Sequence, residues 1–473
     1  MVIARKIAYN VISSSIAKFL ATFLALVNIG FITRYLGVTG FGYYATVLAF
    51  FSFFGAILDL GLYSIATREI SRPEADEKKI LSNVFSLKLC SVSLLVIIVP
   101  VLLFFLPYPQ EVKQGILIIA ISYAFSSSYM VFNGVFQKNL RMDKVVMVEL
   151  VGKIIQVIIV AAVVKNDWGF AGIIGSVLVS AMLTFSGVIL LSRQYIKFSL
   201  EFDFKYWKKF LKMSLPVGIS AFVTFLYFKM DTIILSFLKG SEAVGIYNMA
   251  YKIIENITFF PGMMVGLILP LMSVYVFSDK KKFSKIINKT NKVFFLITVP
   301  LVVGTLFLAE DIIKIIGGEQ FVISTNVLRI LIISLAFIFF GNLFNSILLV
   351  ANLQKKLMYI LSFCAAFNIA LNFILIPLYS YMGAAITSVL TELLVVALTI
   401  YFSNKNVDYN LSLKGWGRIF ISGMGMFLFL FLFQDLNFVY AGAGSVLAYG
   451  LMLWLSRAIT IGEIRSLMFA SQK

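Results

Sequence analysis

Charged side chains stand inside long apolar runs of this sequence, where hydrocarbon or a protein core would reject them. The stretch FLYFKMDTIIL, residues 225–235, carries Lys229 and Asp231 in its middle. At a helical step of about 100° per residue, Thr224 and Asp231 lie on one face and Lys229 lies on another side. A charge that faced lipid would cost about 2.5–3.5 kcal/mol, so these groups need water or protein beside them. A carboxylate in that setting is typical of an ion or substrate pathway.

Other apolar runs carry similar groups at helical spacings. Asn28, with Lys18 at the edge of its helix face, stands in the first run much as Asp231 stands in a later one. Such polar positions are compatible with a solvated cavity, and the Asn side chain also fits ordinary hydrogen bonding between helices. The predicted cavity residues are Asp231, Asn28, Lys18, Lys88, Lys153, Lys229, Lys252, Glu255 and Thr224.

Two of these groups have an alternative interpretation. Glu149 with Lys153, and Lys252 with Glu255, are spaced so that each pair could form a local ion pair on its own helix near a membrane boundary. Asp231 differs, because no charged residue lies three or four positions away from it. We therefore predict Asp231 to be a functional residue.

The composition indicates which elements position these groups. The chain has 473 residues, is 60% hydrophobic and has a mean hydropathy of +0.97, and its apolar runs are long enough to cross a bilayer as helices. We predict an all-α polytopic membrane protein. The sequence has two cysteines, no histidine and no Walker loop, so we predict no disulfide, no metal, no cofactor and no enzymatic activity.

Hydropathy and breaker residues predict about fourteen transmembrane helices. The expected spans lie near residues 11–33, 42–66, 84–106, 115–137, 145–164, 170–192, 215–238, 247–277, 293–309, 326–350, 357–377, 383–402, 418–433 and 438–456. Most of the 40 lysine and arginine residues fall in every second connection, so we place those connections and both termini in the cytoplasm, in the cell inner membrane. The net charge of +18 then reflects topology and headgroup contact, and it does not require nucleic acid.

The two halves of the chain show a weak internal repeat. NIGFITRYLGVTGFGYY, residues 28–44, is similar to DTIILSFLKGSEAVGIYN, residues 231–248, and WGFAGIIGSVLVS is similar to YMGAAITSVLTE in the same order. The aligned pairs include Asn28 with Asp231, Gly42 with Gly245 and Tyr44 with Tyr247. Each half holds six spans, which predicts two parallel-repeat six-helix bundles around a central cavity. The predicted domains are an N-terminal bundle at 1–195, a basic cytoplasmic linker at 196–214, a C-terminal bundle at 215–404 and two appended helices at 405–473.

With these features the chain resembles the Wzx-type polysaccharide-biosynthesis flippases of the multidrug, oligosaccharidyl-lipid and polysaccharide exporter superfamily. Three stretches carry the resemblance: FITRYLGVTGFGYYATV at 31–47, YFKMDTIILSFLKGSEAVGIYNMAYKI at 227–253 and IPLYSYMGAAITSVLTELLVV at 376–396. The resemblance implies transport by alternating access of oligosaccharide repeat units on undecaprenyl pyrophosphate, from the cytoplasmic to the outer leaflet. The products would be O-antigen, capsule or exopolysaccharide, with a polysaccharide polymerase as a partner.

The same resemblance implies that basic side chains in the cavity receive the pyrophosphate. The candidates are Lys18, Lys88, Lys153, Lys229 and Lys252. The sequence lacks the cavity arginine cluster of lipid II flippases. An alternative is a multidrug exporter of this superfamily coupled to H⁺ or Na⁺ through Asp231 and Asn28, and a membrane polysaccharide polymerase is a further alternative. The sequence does not distinguish protons, sodium and the substrate gradient as the driving force.

Overall fold

The chain is almost entirely helical in the computed structural model, which describes residues 2–59, 61–72 and 74–458, with side-chain surroundings from residue 16 onward except at 220, 221, 224 and 227. The described residues form fourteen α-helices and one 3₁₀ turn, without a β-strand among them. The helices are α1 (Val2–Asp59), α2 (Leu62–Ile70), α3 (Glu77–Phe105), α4 (Gln110–Lys138), α5 (Met142–Asn166), α6 (Gly169–Ser192), α7 (Phe204–Leu238), α8 (Gly240–Ile257), α9 (Phe259–Tyr275), α10 (Lys280–Gly317), α11 (Ser324–Val350), α12 (Gln354–Asn406), α13 (Trp416–Leu432) and α14 (Phe438–Leu455), with the 3₁₀ turn at Glu319–Phe321.

Two of these helices each contain two of the predicted spans. The backbone of α1 leaves the helical conformation at Gly37, where φ is 67°, and that of α12 does so at Ser380, where φ is 51°. Positive φ interrupts a right-handed helix because the backbone hydrogen bonds cannot continue through it. Each of the two helices therefore consists of two arms, which agree with the spans predicted on either side of the break.

The helices are long and apolar enough for a multi-pass membrane protein. Among the described residues, ten helical runs are long enough and apolar enough to cross a bilayer. The apolar helix α13 is shorter, with 17 residues. The single span predicted at 247–277 consists of two helices, α8 and α9. Because Pro261 has no N–H to donate to the carbonyl of Ile257, α8 ends at Ile257 and α9 begins at Phe259. The predicted all-α polytopic fold is confirmed.

By their contacts the residues divide into two compact units. One comprises Met1–Asn248 with Ile316–Gly318, and the other comprises Met249–Ile315 with Glu319–Lys473. The domain boundaries expected from the sequence repeat remain a prediction, because contacts within a unit do not test where a duplication began.

Within the first unit, the connection after α6 is fastened to α3. Asp76 caps the start of α3 by accepting a hydrogen bond from the Lys79 backbone N–H at 3.0 Å. We call residues 193–203 the first strap. The backbone N–H of Ser199 donates to Ser82 Oγ at 3.1 Å, and the N–H of Glu201 donates to Ser86 Oγ at 3.0 Å. The two serines lie one helical turn apart, so they match the spacing of alternate amides on an extended segment.

The second unit repeats this construction on α10. Asp279 accepts from the Lys282 backbone N–H at 3.0 Å, and this hydrogen bond holds the pKa of the Asp279 carboxyl below its usual range. We call residues 407–415 the second strap. There the Asn410 N–H donates to Ser284 Oγ at 3.0 Å, and the Ser412 N–H donates to Asn288 Oδ1 at 2.8 Å. The shared cap and strap support a duplicated architecture.

Candidate functional site

Asp231 is buried between α7 and the start of α8. Asp231 is only 4% exposed, and its carboxylate accepts hydrogen bonds. Oδ1 accepts from the Thr232 backbone N–H at 2.6 Å, and Oδ2 accepts from the hydroxyl of Tyr247. The Thr232 hydroxyl donates to Oδ1 of Asn248 at 3.3 Å, which adds a second link between the helices. The Asp231 carboxylate therefore joins α8 to α7. Asp231 is also the residue that the sequence predicts to be functional.

Tyr247 is a site residue that the sequence reasoning did not identify. The internal repeat aligned Tyr247 with Tyr44, but an aromatic residue in an apolar helix does not by itself indicate a functional site. Its hydroxyl has a polar partner as buried tyrosines usually do, and here the partner lies on the preceding helix. Tyr247 and Asp231 are 16 residues apart, whereas side chains on one helix meet only at spacings of three or four residues, so only the turn between α7 and α8 reveals the pair.

Asn28 is aligned with Asp231 by the predicted sequence repeat. It is 7% exposed, and its Oδ1 has no hydrogen-bond partner among the described residues. A buried acceptor without a partner is uncommon in folded proteins. The two positions that the predicted repeat aligns thus hold a hydrogen-bonded carboxylate and, within the described part of the chain, an amide oxygen without a partner.

A second charged group in the first unit is built from α1, α4 and α5. Lys18 and Lys153 both lie close enough to Glu149 for their charges to act on its carboxylate. The Tyr129 hydroxyl donates to Glu149 Oε1 at 3.3 Å, and Lys153 Nζ donates to Gln156 Oε1 at 3.2 Å. Both lysine side chains are exposed at the protein surface. The structure therefore brings together two of the predicted phosphate-binding lysines, which are far apart in sequence.

Lys88 has a different environment from the other candidates. It is 1% exposed, and its Nζ donates to the carbonyl of Leu58 at 2.9 Å and lies 3.6 Å from Asp59 Oδ1. The last carbonyls of a helix lack intrahelical partners, and α1 ends at Asp59. Lys88 therefore caps the end of α1 from α3, where its charge also complements the helix dipole.

Asp59 was missed at the sequence level. The signal was an acidic residue inside an apolar run, just before Gly61. Gly61 has a φ of 71° and stands at the start of α2, so Asp59 lies at a break between two helices. Its carboxylate is 30% exposed, which leaves it partly open while Lys88 is enclosed.

The remaining candidates are Lys252, Glu255, Lys229 and Thr224. Lys252 Nζ and Glu255 Oε2 form an ion pair at 2.6 Å within α8, which confirms the local pairing considered from their spacing. Lys229 is half-buried on α7. The side chain of Thr224 lies outside the described residues.

The second unit contains its own buried polar cluster, shared by the two arms of α12. Asn368 Nδ2 donates to Thr391 Oγ1 at 3.1 Å, and Asn372 Nδ2 donates to Asn368 Oδ1 at 2.9 Å. The oxygens Asn372 Oδ1 and Thr387 Oγ1 have no hydrogen-bond partner among the described residues. Among the described residues, no group of three or more His, Cys, Asp or Glu side chains could hold a metal ion.

Comparison with known proteins places these features in a family context. Residues 7–276 match the sequence profile of the family described as Polysaccharide biosynthesis protein, and residues 216–374 match the MatE profile. The chain is 23% identical over 386 residues to a putative O-antigen transporter of Shigella flexneri, covering 77% of this chain and 90% of that protein. It is 26% identical over 217 residues to the capsular polysaccharide biosynthesis protein CapF of Staphylococcus aureus, covering 45% of this chain.

Not every alignment spans the relative in full. The matches to CapF and to a membrane protein of Methanocaldococcus jannaschii span about half of those proteins' lengths, 54% and 51%. In fold, the chain is similar to the lipid II flippase MurJ in an inward closed conformation, with a TM-score of 0.77, 19% identity, and coverage of 97% of this chain and 99% of MurJ. Because the first profile covers more than half of the sequence, this chain belongs to the polysaccharide biosynthesis protein family, as the sequence motifs predicted.

Proposed function

We propose that this protein is a membrane transporter that flips lipid-linked oligosaccharide repeat units, carried on undecaprenyl pyrophosphate, from the cytoplasmic to the outer leaflet. The family membership and the names of the Shigella and Staphylococcus relatives support transport for O-antigen, capsule or exopolysaccharide assembly. A polysaccharide polymerase would then use the flipped units. The proposal includes an inner-membrane location with both termini in the cytoplasm, and the division of the chain at the linker 196–214.

The observation that carries this proposal is the pair of exposed lysines, Lys18 and Lys153, which lie within two candidate membrane spans and act on the Glu149 carboxylate. Sugars and pyrophosphate are too polar to cross the hydrocarbon layer without a protein around them, so a flippase must offer them a polar route. Lysine suits phosphate as a mobile point charge. Under the proposed orientation these lysines lie toward the cytoplasmic leaflet, where the substrate is loaded. The side chains of Lys88 and Lys252 are 1% and 17% exposed, whereas those of Lys18 and Lys153 are exposed, so Lys18 and Lys153 are the stronger phosphate candidates.

The experiment is complementation of a deletion strain that accumulates lipid-linked repeat units on the inner leaflet. The intact protein restores polymer at the cell surface. The Lys18→Ala/Lys153→Ala variant leaves most repeat units on the inner leaflet, because the pyrophosphate loses its counter-charge. Lys165→Ala, which removes an exposed lysine at the end of α5, serves as the matched control and restores polymer. Normal polymer from the double variant would remove these lysines from the substrate route.

Asp231 gives a second test of the same proposal. Asp231→Asn keeps the volume of the side chain but removes its charge and one of its two acceptor oxygens. If the carboxylate takes part in ion or substrate handling, the variant reaches the membrane at normal levels yet fails to restore polymer. Polymer at the intact level would confine Asp231 to a structural role.

The second candidate is a multidrug exporter coupled to H⁺ or Na⁺. It is favoured by the MatE match over residues 216–374, by the buried Asp231 and by the unpaired oxygen of Asn28. Deletion of such an exporter would raise susceptibility to cationic dyes and leave lipid-linked sugars unchanged. A polymerase would instead extend purified lipid-linked repeats in detergent, where flipping has no meaning.

A further inference from the structure

The second arm of α1 and the start of α8 approach each other at two glycines. A Cβ added to Gly42 would lie 1.7 Å from the carbonyl oxygen of Ser241, and one added to Gly245 would lie 2.1 Å from the carbonyl oxygen of Val38. Both obstructing atoms belong to the backbone and cannot rotate away. Any residue larger than glycine therefore requires the two helices to separate. We call this contact the glycine crossing.

The crossing joins equivalent positions of the sequence repeat. In the alignment of 28–44 with 231–248, Gly42 corresponds to Gly245 and Val38 corresponds to Ser241. Each helix thus presents a glycine to the carbonyl that the other helix presents one turn earlier. The contact is reciprocal, as expected where two copies of one segment meet around a local two-fold axis.

The crossing lies beside the buried Asp231. Tyr247, whose hydroxyl donates to Asp231, is two residues beyond Gly245 on α8. The Thr232–Asn248 hydrogen bond ties the same turn of α8 to α7. The end of α7 and the start of α8 are therefore fastened together, so a movement at the crossing carries this helical hairpin relative to α1. By the distribution of basic residues, the hairpin turn lies on the side opposite the cytoplasmic segments.

We propose that the glycine crossing is a closure on the outer side of the protein, in which Gly42 and Gly245 act as positioning residues that shield Asp231, and that it separates once in each transport cycle. This inference rests on the proposed transport function. A side chain at either position disfavours the closed arrangement and leaves the outer side open.

The first experiment measures access from outside without using transport. In a chain whose Cys90 and Cys364 are replaced by serine and alanine, Val244→Cys introduces one thiol next to Gly245, at a residue that is 0% exposed. A membrane-impermeant maleimide added outside labels this thiol slowly while the glycines are intact. Gly42→Ala or Gly245→Ala raises the labelling rate by roughly tenfold, because the closed population falls.

Gly175→Ala is the matched control, since a Cβ there meets no atom within 4 Å, and it leaves labelling unchanged. Unchanged labelling in folded Gly42→Ala and Gly245→Ala proteins would overturn the inference. Because this readout needs no substrate, it stands even where the transported molecule proves not to be a lipid-linked sugar. Loss of polymer without a labelling change would support the transport proposal and reject the closure.

A second experiment keeps both glycines and so avoids any folding defect. Val38→Cys/Ser241→Cys, in the same background, places one half-buried thiol on each side of the crossing. A short, cleavable bifunctional maleimide that joins the two thiols abolishes polymer export, and cleavage of the reagent restores it. Export that continues while the helices are joined would show that the crossing need not separate.

Discussion

Lys88 shows how a charge is retained in an apolar helix by contacts with other protein groups. Its Nζ is enclosed, and it satisfies the Leu58 carbonyl at the end of α1 while it neutralises Asp59. Removal of one member of such a pair is costly, because the other is left without its counter-charge. Lys88 is therefore important for stability in this conformation, whichever substrate the protein moves.

Replacement of Lys88 by methionine tests this role. We expect Lys88→Met to lower the free energy of unfolding by about 2–3 kcal/mol, which is less than the loss of about 3–5 kcal/mol for a fully buried pair because Asp59 is partly exposed. Thermal unfolding of the purified protein in detergent would show a reduced Tm. Lys78→Met, which removes an exposed lysine from the same helix, should leave Tm unchanged.

The paired variant Lys88→Met/Asp59→Asn separates charge from packing. It removes both charges, so it should recover part of the stability that Lys88→Met loses. An equal loss in the single and double variants would mean that packing of the lysine stem, and not its charge, holds α3 against α1.

At the scale of elements, the two straps show that the connections of this protein are ordered parts of its units. Each strap uses a pair of side chains one helical turn apart to bind two alternate backbone amides of an extended segment. These residues sit on α3 and α10, which both begin at an aspartate cap. The aspartates, serines and asparagine would be unremarkable as single polar residues in a sequence.

Loss of the serines should release the first strap. In Ser82→Ala/Ser86→Ala the amides of Ser199 and Glu201 lose their acceptors, at about 0.5–1.5 kcal/mol for each hydrogen bond. Hydrogen exchange at these amides should accelerate severalfold, while exchange in the core of α3 stays slow. Ser91→Ala is the control, because its hydroxyl donates only within α3, to the Leu87 carbonyl at 2.9 Å. Equal exchange in both variants would show that the strap is held by other contacts.

At the scale of the whole molecule, the arrangement of basic residues predicts the topology. Lys212 lies in the basic linker before the span of α7, and Lys239 lies at its far end. Alkaline phosphatase fused after Lys212 should be inactive, because it stays in the cytoplasm, whereas a fusion after Lys239 should be active. The opposite pattern would invert the proposed orientation and place the glycine crossing on the cytoplasmic side.

The sequence alone determined the class of fold and the family. Apolar runs of bilayer length and helical spacing are local properties, so they predicted the spans and the breaks near Gly37 and Ser380 without knowledge of any contact. The repeat likewise required only comparison of two segments. Asp231 could be selected in the same way, because a carboxylate in an apolar run with no charged residue three or four positions away is conspicuous in the sequence.

Only the tertiary structure decided which of these residues meet. The pairing of Lys88 with Asp59, the approach of Lys18 to Glu149 and the hydrogen bond from Tyr247 to Asp231 all join different helices. Helix packing sets such contacts through the rotation and depth of each helix, and neither follows from the spacing of residues along one chain segment. For the same reason Gly42 and Gly245 were visible as aligned letters, but their contact was not, because it depends on how closely two backbones approach.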